Sequence, residues 1–138
     1  MPKSKPTAKE KLHRKKEIKT VVMDKAYGGI AVGETMLVAT PLIVDSYIRK
    51  IPYGETRTIP DMRAELAADY KCDGTCPMST SIFIRMSAEA ALEDLDAGLD
   101  ETEIAPFWRV ITSKDKMAKK LNLPDPTWLD DRRAMEMG

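Results

Sequence analysis

The chain has 138 residues and a mass of 15.5 kDa, one domain's worth of protein, and its 43% apolar content is enough for a core. No apolar run approaches the roughly 18–20 residues that span a bilayer, and the first lysines have no apolar stretch behind them, so neither a transmembrane segment nor a secretory signal is expected. Two cysteines exclude a disulfide-stapled scaffold, which leaves a soluble, cytoplasmic, single-domain protein, expected to be a monomer with no membrane partner and no cofactor.

The 22 basic and 22 acidic side chains cancel, but they are segregated. Residues 1–19 hold eight basic side chains (Lys3, Lys5, Lys9, Lys11, Arg14, Lys15, Lys16 and Lys19) against Glu10 and Glu17, a net charge of +6. With two prolines and little apolar content this segment reads as a disordered or loosely helical basic arm, suited to holding a polyanion by counterion release. The bland alternative is a solvated tail. Residues 20–138 form the domain. Within them, Glu89 to Glu103 carries seven acids and no base, which reads as a solvated face, or as a surface for a protein partner.

Thr20-Val21-Val22-Met23 is a β-prone run, glycines at 28, 29 and 33 punctuate the stretch after it, and Met36-Leu37-Val38-Ala39 is a second short extended run. Thr40-Pro41 is an N-cap and first-turn proline that opens a helix to Ile51, with Leu42, Ile43, Tyr47 and Ile48 at helical spacing. Pro52-Tyr53-Gly54 breaks it. Thr58 caps a second helix, with Pro60 and Asp61 in its first turn, that buries Met62, Leu66 and Ala67 and runs to about Tyr70. Lys71 to Pro77 is a loop. Ser79 or Thr80 opens the longest helix, which passes Ile82, Phe83, Met86, Ala90 and Leu95 to about Ala97 and is ended by Gly98. Trp108 to Thr112 reads as a short strand that could begin a wing, and Thr127 caps a C-terminal helix through Trp128, Leu129 and Met135. The expected fold class is therefore mostly α with a small β wing, in the helix-turn-helix spacing of a winged helix, with a C-terminal helical extension.

Two segments carry a family resemblance. Ile51-Pro52-Tyr53-Gly54-Glu55-Thr56-Arg57-Thr58 resembles the Ile-Pro-x-Gly-x-x-x-Thr segment of the 6-O-alkylguanine-DNA alkyltransferases. Pro106-Phe107-Trp108-Arg109-Val110-Ile111 is similar to that family's Pro-Cys-His-Arg-Val-Ile motif. The resemblance covers roughly Leu37 to Lys114, the family's winged-helix DNA-binding domain, and it implies double-stranded DNA as a partner. The family transfers an alkyl group to the cysteine of its motif, a thiolate activated by the neighbouring histidine. Here Phe107 stands at the cysteine position and Trp108 at the histidine position, so alkyl transfer by that route is excluded. The chain thus resembles the alkyltransferase-like proteins that bind alkylated guanine without repairing it. Cys76-Pro77-Met78-Ser79-Thr80 and Phe107-Trp108-Arg109 look closest to related proteins with a Cys-Pro turn and an aromatic-Trp-Arg motif. Two family devices for rotating a base out of the stack are absent: a tyrosine after the threonine, where Ile59 stands, and an arginine at the start of the recognition helix, where Ser79, Thr80 and Ser81 stand.

The implied DNA-contacting residues are Arg57 and Thr58 at one helix start, and Ser79, Thr80, Ser81 and Arg85 at the other. The bland reading is ordinary N-capping plus a surface arginine, with Thr58 only a cap. Tyr53, Phe107, Trp108 and Arg109 would line a base pocket, against the alternatives that the aromatics pack in the core and that Arg109 serves structure by pairing with an acid near the wing. Cys72 and Cys76 form a C-x3-C pair, but the chain's one histidine, His13, lies in the arm. No metal site is expected, two reduced loop thiols are the plain reading, and thiol chemistry is the alternative. The leading expectation is a non-catalytic DNA-binding protein in a repair-related role, with damaged or alkylated bases as candidate targets. The competing one is a winged-helix module for protein interaction or regulation, with the acidic 89–103 surface and the Met-containing C-terminal segment as contact sites.

Overall fold

The computed structural model describes residues 7–13 and 17–137. The arm residues Lys3, Lys5, Arg14, Lys15 and Lys16 lie outside them. The described chain is mostly helical with one small sheet: α1 (Ala8–Leu12), β1 (Lys19–Val22), β2 (Thr35–Val38), α2 (Pro41–Lys50), α3 (Ile59–Asp69), β3 (Gly74–Thr75), α4 (Pro77–Asp96) and α5 (Trp128–Met137), with short 3-10 turns between the last two.

The sheet runs β1-β2-β3, with β1 and β2 antiparallel and β3 parallel to β2. Its third strand was not visible in the sequence, where residues 71–77 read as a loop. Gly74 leaves room there for Ile30: a Cβ at this position would sit 2.5 Å from Cγ1 of Ile30, so a larger residue would have to push that buried side chain aside.

The helix starts are set by their caps. Thr40 Oγ1 accepts the Ile43 amide at 3.2 Å, with Pro41 in the first turn. Thr58 and Asp61 form a reciprocal capping box, each side chain accepting the other's amide at 3.1 Å. Those hydrogen bonds hold the Asp61 carboxyl below its usual pKa range. The long helix α4 starts two residues earlier than Ser79, because Pro77 presets the first turn. Thr80 is consequently inside it, fully buried, with its hydroxyl donating back to the Cys76 carbonyl at 2.7 Å.

The core gathers around α4. Phe83, Ile84, Ala88 and Ala91 pack with Val44 and Ile48 of α2, with Met62 and Leu66 of α3, and with Leu37 of β2. On α2 the buried face is Pro41, Val44 and Ile48, and Leu42 is exposed. Small residues on α4 bring α2 close enough for Ser87 to donate a buried 2.6 Å hydrogen bond to Asp45, whose other oxygen pairs with Arg49 at 2.9 Å.

Two expectations are corrected. The basic segment is not a free arm throughout: Ala8–Leu12 is a helix capped by Thr7, and Ala8 and Leu12 are buried against Ala90. Its first amides meet a carboxylate, Ala8 and Lys9 donating to Glu93 at 2.7 and 3.0 Å, and Lys9 Nζ pairs with Asp94 at 2.8 Å. Lys19 belongs to β1. The second correction concerns Trp108 to Thr112, which forms no strand. Phe107–Arg109 is a 3-10 turn, with Arg109 and Val110 amides bonded to the Pro106 and Phe107 carbonyls. A strand would send Phe107 and Trp108 to opposite faces; the turn sends both into the core, together with Val110 and Ile111.

Ile84 is fully buried at the centre of α4. Ile84→Ala is expected to cost about 2–5 kcal/mol through lost burial and the cavity left behind, measured as a shift of the urea midpoint at unchanged slope.

Candidate functional site

The two resembling segments, some fifty residues apart, are joined through Arg109. Its Nη1 donates to the Ile51 carbonyl at 2.7 Å, and its own carbonyl accepts the Arg57 amide at 2.9 Å. Its Nε and Nη2 donate to the two oxygens of Glu136 at 2.7 and 3.0 Å. The same carboxylate accepts Trp108 Nε1 at 2.6 Å and the Gly54 amide. Arg133 donates to the Trp108 carbonyl at 2.8 Å. The last turns of α5 are thereby pinned over both segments.

Glu136 is 9% exposed and Arg109 13%. Burial alone would raise the glutamate's pKa, but the hydrogen bonds from Arg109 and Trp108, the guanidinium charge and the Gly54 amide outweigh it. The carboxyl is held below its ordinary range. Gly54 reaches it because its φ of +83° turns the backbone in a way that L side chains rarely adopt.

Of the four residues expected around a base pocket, all are brought together, but they enclose no space for a base. Phe107 is 0% exposed and Trp108 4%. Trp128 stacks on Phe107 at 5.4 Å between centroids, and Trp108 meets both rings edge-on at 5.6 Å. The chain's own α5 therefore occupies the stacking face of Phe107. Tyr53 lies outside, its ring 5.6 Å from the Arg109 guanidinium and its hydroxyl 3.4 Å from the Met135 carbonyl.

The expected DNA contacts are dispersed among internal partners. Arg57 donates to the Thr56 carbonyl and pairs with Glu55, each at 3.0 Å, and lies 4.0 Å from Glu65. Its pKa is raised by the hydrogen bond to Glu55. Glu65 also accepts the Tyr47 hydroxyl, whose pKa is raised by burial and by that carboxylate. Thr58 is engaged as a cap. Ser79 is half-buried, its hydroxyl 3.3 Å from the Cys76 sulfur, and Ser81 is half-buried on the next turn. Arg85 pairs with Glu89 at 2.7 Å. Cys76 is buried and Cys72 half-buried, both reduced, and among the described residues no three His, Cys, Asp or Glu side chains gather as a metal set.

An open groove of about 620 Å³ runs elsewhere, along the second half of α4, between Glu89, Glu93 and Asp96 on the helix and Lys120 and Asn122 opposite. Glu136, Trp128 and Glu93 are the residues that sequence reading passed over. Trp128 stood in a recognised helix beside an apolar neighbour, which was a usable signal for a core position. Glu136 and Glu93 carried none, since each is one acid among many until the fold sets it beside an arginine or a helix start.

No protein-family model matches the chain, and no curated protein and no solved structure matches it either.

Both tryptophans of the chain sit in this cluster, so intrinsic fluorescence reports the docking of α5. A carboxyl whose folded pKa is depressed stabilises the fold above its unfolded pKa and loses that contribution as pH falls through the folded value. Acidification below the ordinary glutamate range is expected to red-shift the emission. Glu136→Gln should remove that step from the titration and destabilise the neutral protein by about 1–3 kcal/mol, since Arg109 loses its charged acceptor.

Proposed function

We propose that this chain is a non-catalytic DNA-binding domain of alkyltransferase-like type, serving a repair-related role by binding rather than by alkyl transfer. The observation that carries the reading is the Arg109 junction. The two segments on which the resemblance rests meet in space through one side chain, as parts of a single site do. The winged-helix assignment belongs to the same proposal: α3, the turn through β3 and α4 supply a helix-turn-helix order, with the β1–β2 hairpin as the β component.

Duplex contact on this reading runs through the starts of α3 and α4, with Arg57, Thr58, Ser79, Ser81 and Arg85 on phosphates. The ion pairs of Arg57 and Arg85 do not forbid it. Their partners are half-exposed or nearly so, and such pairs are worth only about 0–1 kcal/mol, so a phosphate can displace the carboxylate. Arg109 is different, because its bidentate partner is buried with it. Phe107 has no thiol to accept an alkyl group, and with α5 docked no base can stack upon it. Recognition then rests on the backbone and grooves, with the basic segment adding sequence-independent affinity.

A second reading is favoured by Met78 and Ile82, which stand 64% and 50% exposed on the α4 turns that carry Ser79 and Ser81. Apolar side chains there suit a protein surface better than a phosphate backbone.

Fluorescence anisotropy with two labelled duplexes, one plain and one holding a single 6-O-methylguanine, separates these. We expect both to bind with similar affinity, and log affinity to fall with log salt at about −0.9 per phosphate neutralised. Arg57→Ala with Arg85→Ala should flatten that slope by about 2. A clear preference for the methylated duplex would move the reading to base recognition with α5 displaced. Absence of binding to either at low salt would remove DNA and leave the protein-interaction module.

A further inference from the structure

Tyr53 is the most exposed of the chain's eight aromatic residues, at 69%, yet the fold does not leave its ring loose. Its turn is tied on both sides: the Ile51 carbonyl accepts from Arg109, and the Gly54 amide donates to Glu136. One ring face lies against the Arg109 guanidinium, 5.6 Å from the centroid, a cation–π contact to a side chain that is itself largely buried. The hydroxyl lies 3.4 Å from the Met135 carbonyl. With one face and one edge held, the opposite face is the one that water reaches. Core packing does not account for the residue, since most of its surface stays wet.

The charge on the segments that build this surface is left positive. Four arginines there have carboxylate partners: Arg109 with Glu136, Arg57 with Glu55, Arg49 with Asp45 and Arg132 with Glu101. Glu65 draws on Arg57 as well, and on the Tyr47 hydroxyl. Two cations remain. Lys50, at the end of α2 and three residues before Tyr53, is exposed and its side chain has no partner among the described residues. Arg133 donates to the Trp108 carbonyl and has no carboxylate partner among them. A fixed aromatic face beside unanswered cations suits a base and the phosphates that flank it.

We propose that Tyr53 is a stacking platform for a base that is already unpaired, at a bulge in duplex DNA, with Lys50 and Arg133 on the flanking phosphates. The inference rests on the DNA-binding reading and adds a ligand to it. Stacking one base on an aromatic side chain improves affinity by about 5- to 150-fold. Pulling a paired base out of a duplex costs as much or more, and the cost is least for a base already unpaired. A single platform therefore takes a base that the nucleic acid has released beforehand. Because the turn and the ring are fixed in advance, little conformational freedom is lost on binding. The interior of the aromatic cluster takes no part, since Trp128 keeps the face of Phe107.

Fluorescence anisotropy of the full chain with two labelled duplexes, one fully paired and one with a single bulged thymine, tests this. The bulged duplex is expected to bind about 5- to 150-fold more tightly. Tyr53→Leu should bring the ratio of the two affinities to about one, and Tyr53→Phe, which keeps the ring, should retain it. Lys50→Ala should flatten the salt dependence for the bulged duplex by about 1. A second measurement needs no variant to fold. With 5-iodouracil in place of the bulged thymine, long-wavelength irradiation should attach the base to Tyr53, the site being read by peptide mass spectrometry. Equal binding of the two duplexes, a preference that survives Tyr53→Leu, or no attachment at Tyr53 would overturn the platform and leave duplex binding in place. Failure to bind either duplex would overturn both.

Discussion

The pairing of Arg109 with Glu136 is the contact on which the arrangement of the site depends. A guanidinium at the end of the Phe107–Arg109 turn has five donors to satisfy in a place with little water. Two go to the Glu136 carboxylate and one to the Ile51 carbonyl. The Ile51 bond fixes the end of α2 and the Pro52–Thr58 segment. The Glu136 bonds fix the end of α5. Three stretches far apart in sequence therefore share one cation. Breaking it leaves a buried charge on whichever side remains, so the assembly stands or falls together.

A second use of charge joins α1 to α4. The zero net charge conceals a basic segment and an acidic helix that answer each other in the fold. Glu93 is hydrogen-bonded to the first two amides of α1 and Asp94 to Lys9. Part of the acidity that reads in the sequence as a partner-binding surface is thus occupied internally. What stays open is the groove that Glu89, Glu93 and Asp96 share with Lys120. On the DNA-binding reading, a phosphate backbone would compete with α4 for Lys9, since part of the arm's charge is already neutralised by Asp94.

Sequence reading reached α2, α3 and the β1–β2 strands because each carries local chemistry: Thr40-Pro41, the Thr58–Asp61 box, and short β-branched runs. It also paired the two segments that Arg109 joins, though on their letters and not on any contact visible in the chain. Its failures share a cause, which is that they depend on partners remote in the chain. Trp108 to Thr112 has the β propensity of a strand, but Trp128 provides a place for both aromatics to be buried, and the tertiary contact outweighs the local preference. Ala8 and Leu12 are too few to suggest a docked helix until Ala90 is set opposite them. Thr80 reads as a cap by composition, yet Pro77 starts the helix earlier and turns its hydroxyl inward. Glu136 could not have been singled out, because nothing local distinguishes it from Asp130 or Asp131.

Chemistry and packing are coupled at Phe107 and Trp108. On the alkyltransferase-like reading, a cysteine and a histidine at these positions would need solvent and substrate access to react. Phenylalanine and tryptophan gain free energy by avoiding that access. Each buries a large apolar surface and adds an aromatic contact worth about 0.5–1.5 kcal/mol, and Trp128 supplies the face against which they do so. On that reading, the residues standing in place of the nucleophile and its base are the same ones that pack against α5. The closure is self-consistent, since the indole N–H of Trp108, which must find an acceptor when buried, finds it in the Glu136 carboxylate that already holds Arg109. On the same reading, binding would fall to the outer surface of the clamp, where Tyr53 is exposed and Arg57 partly so, and not to its interior.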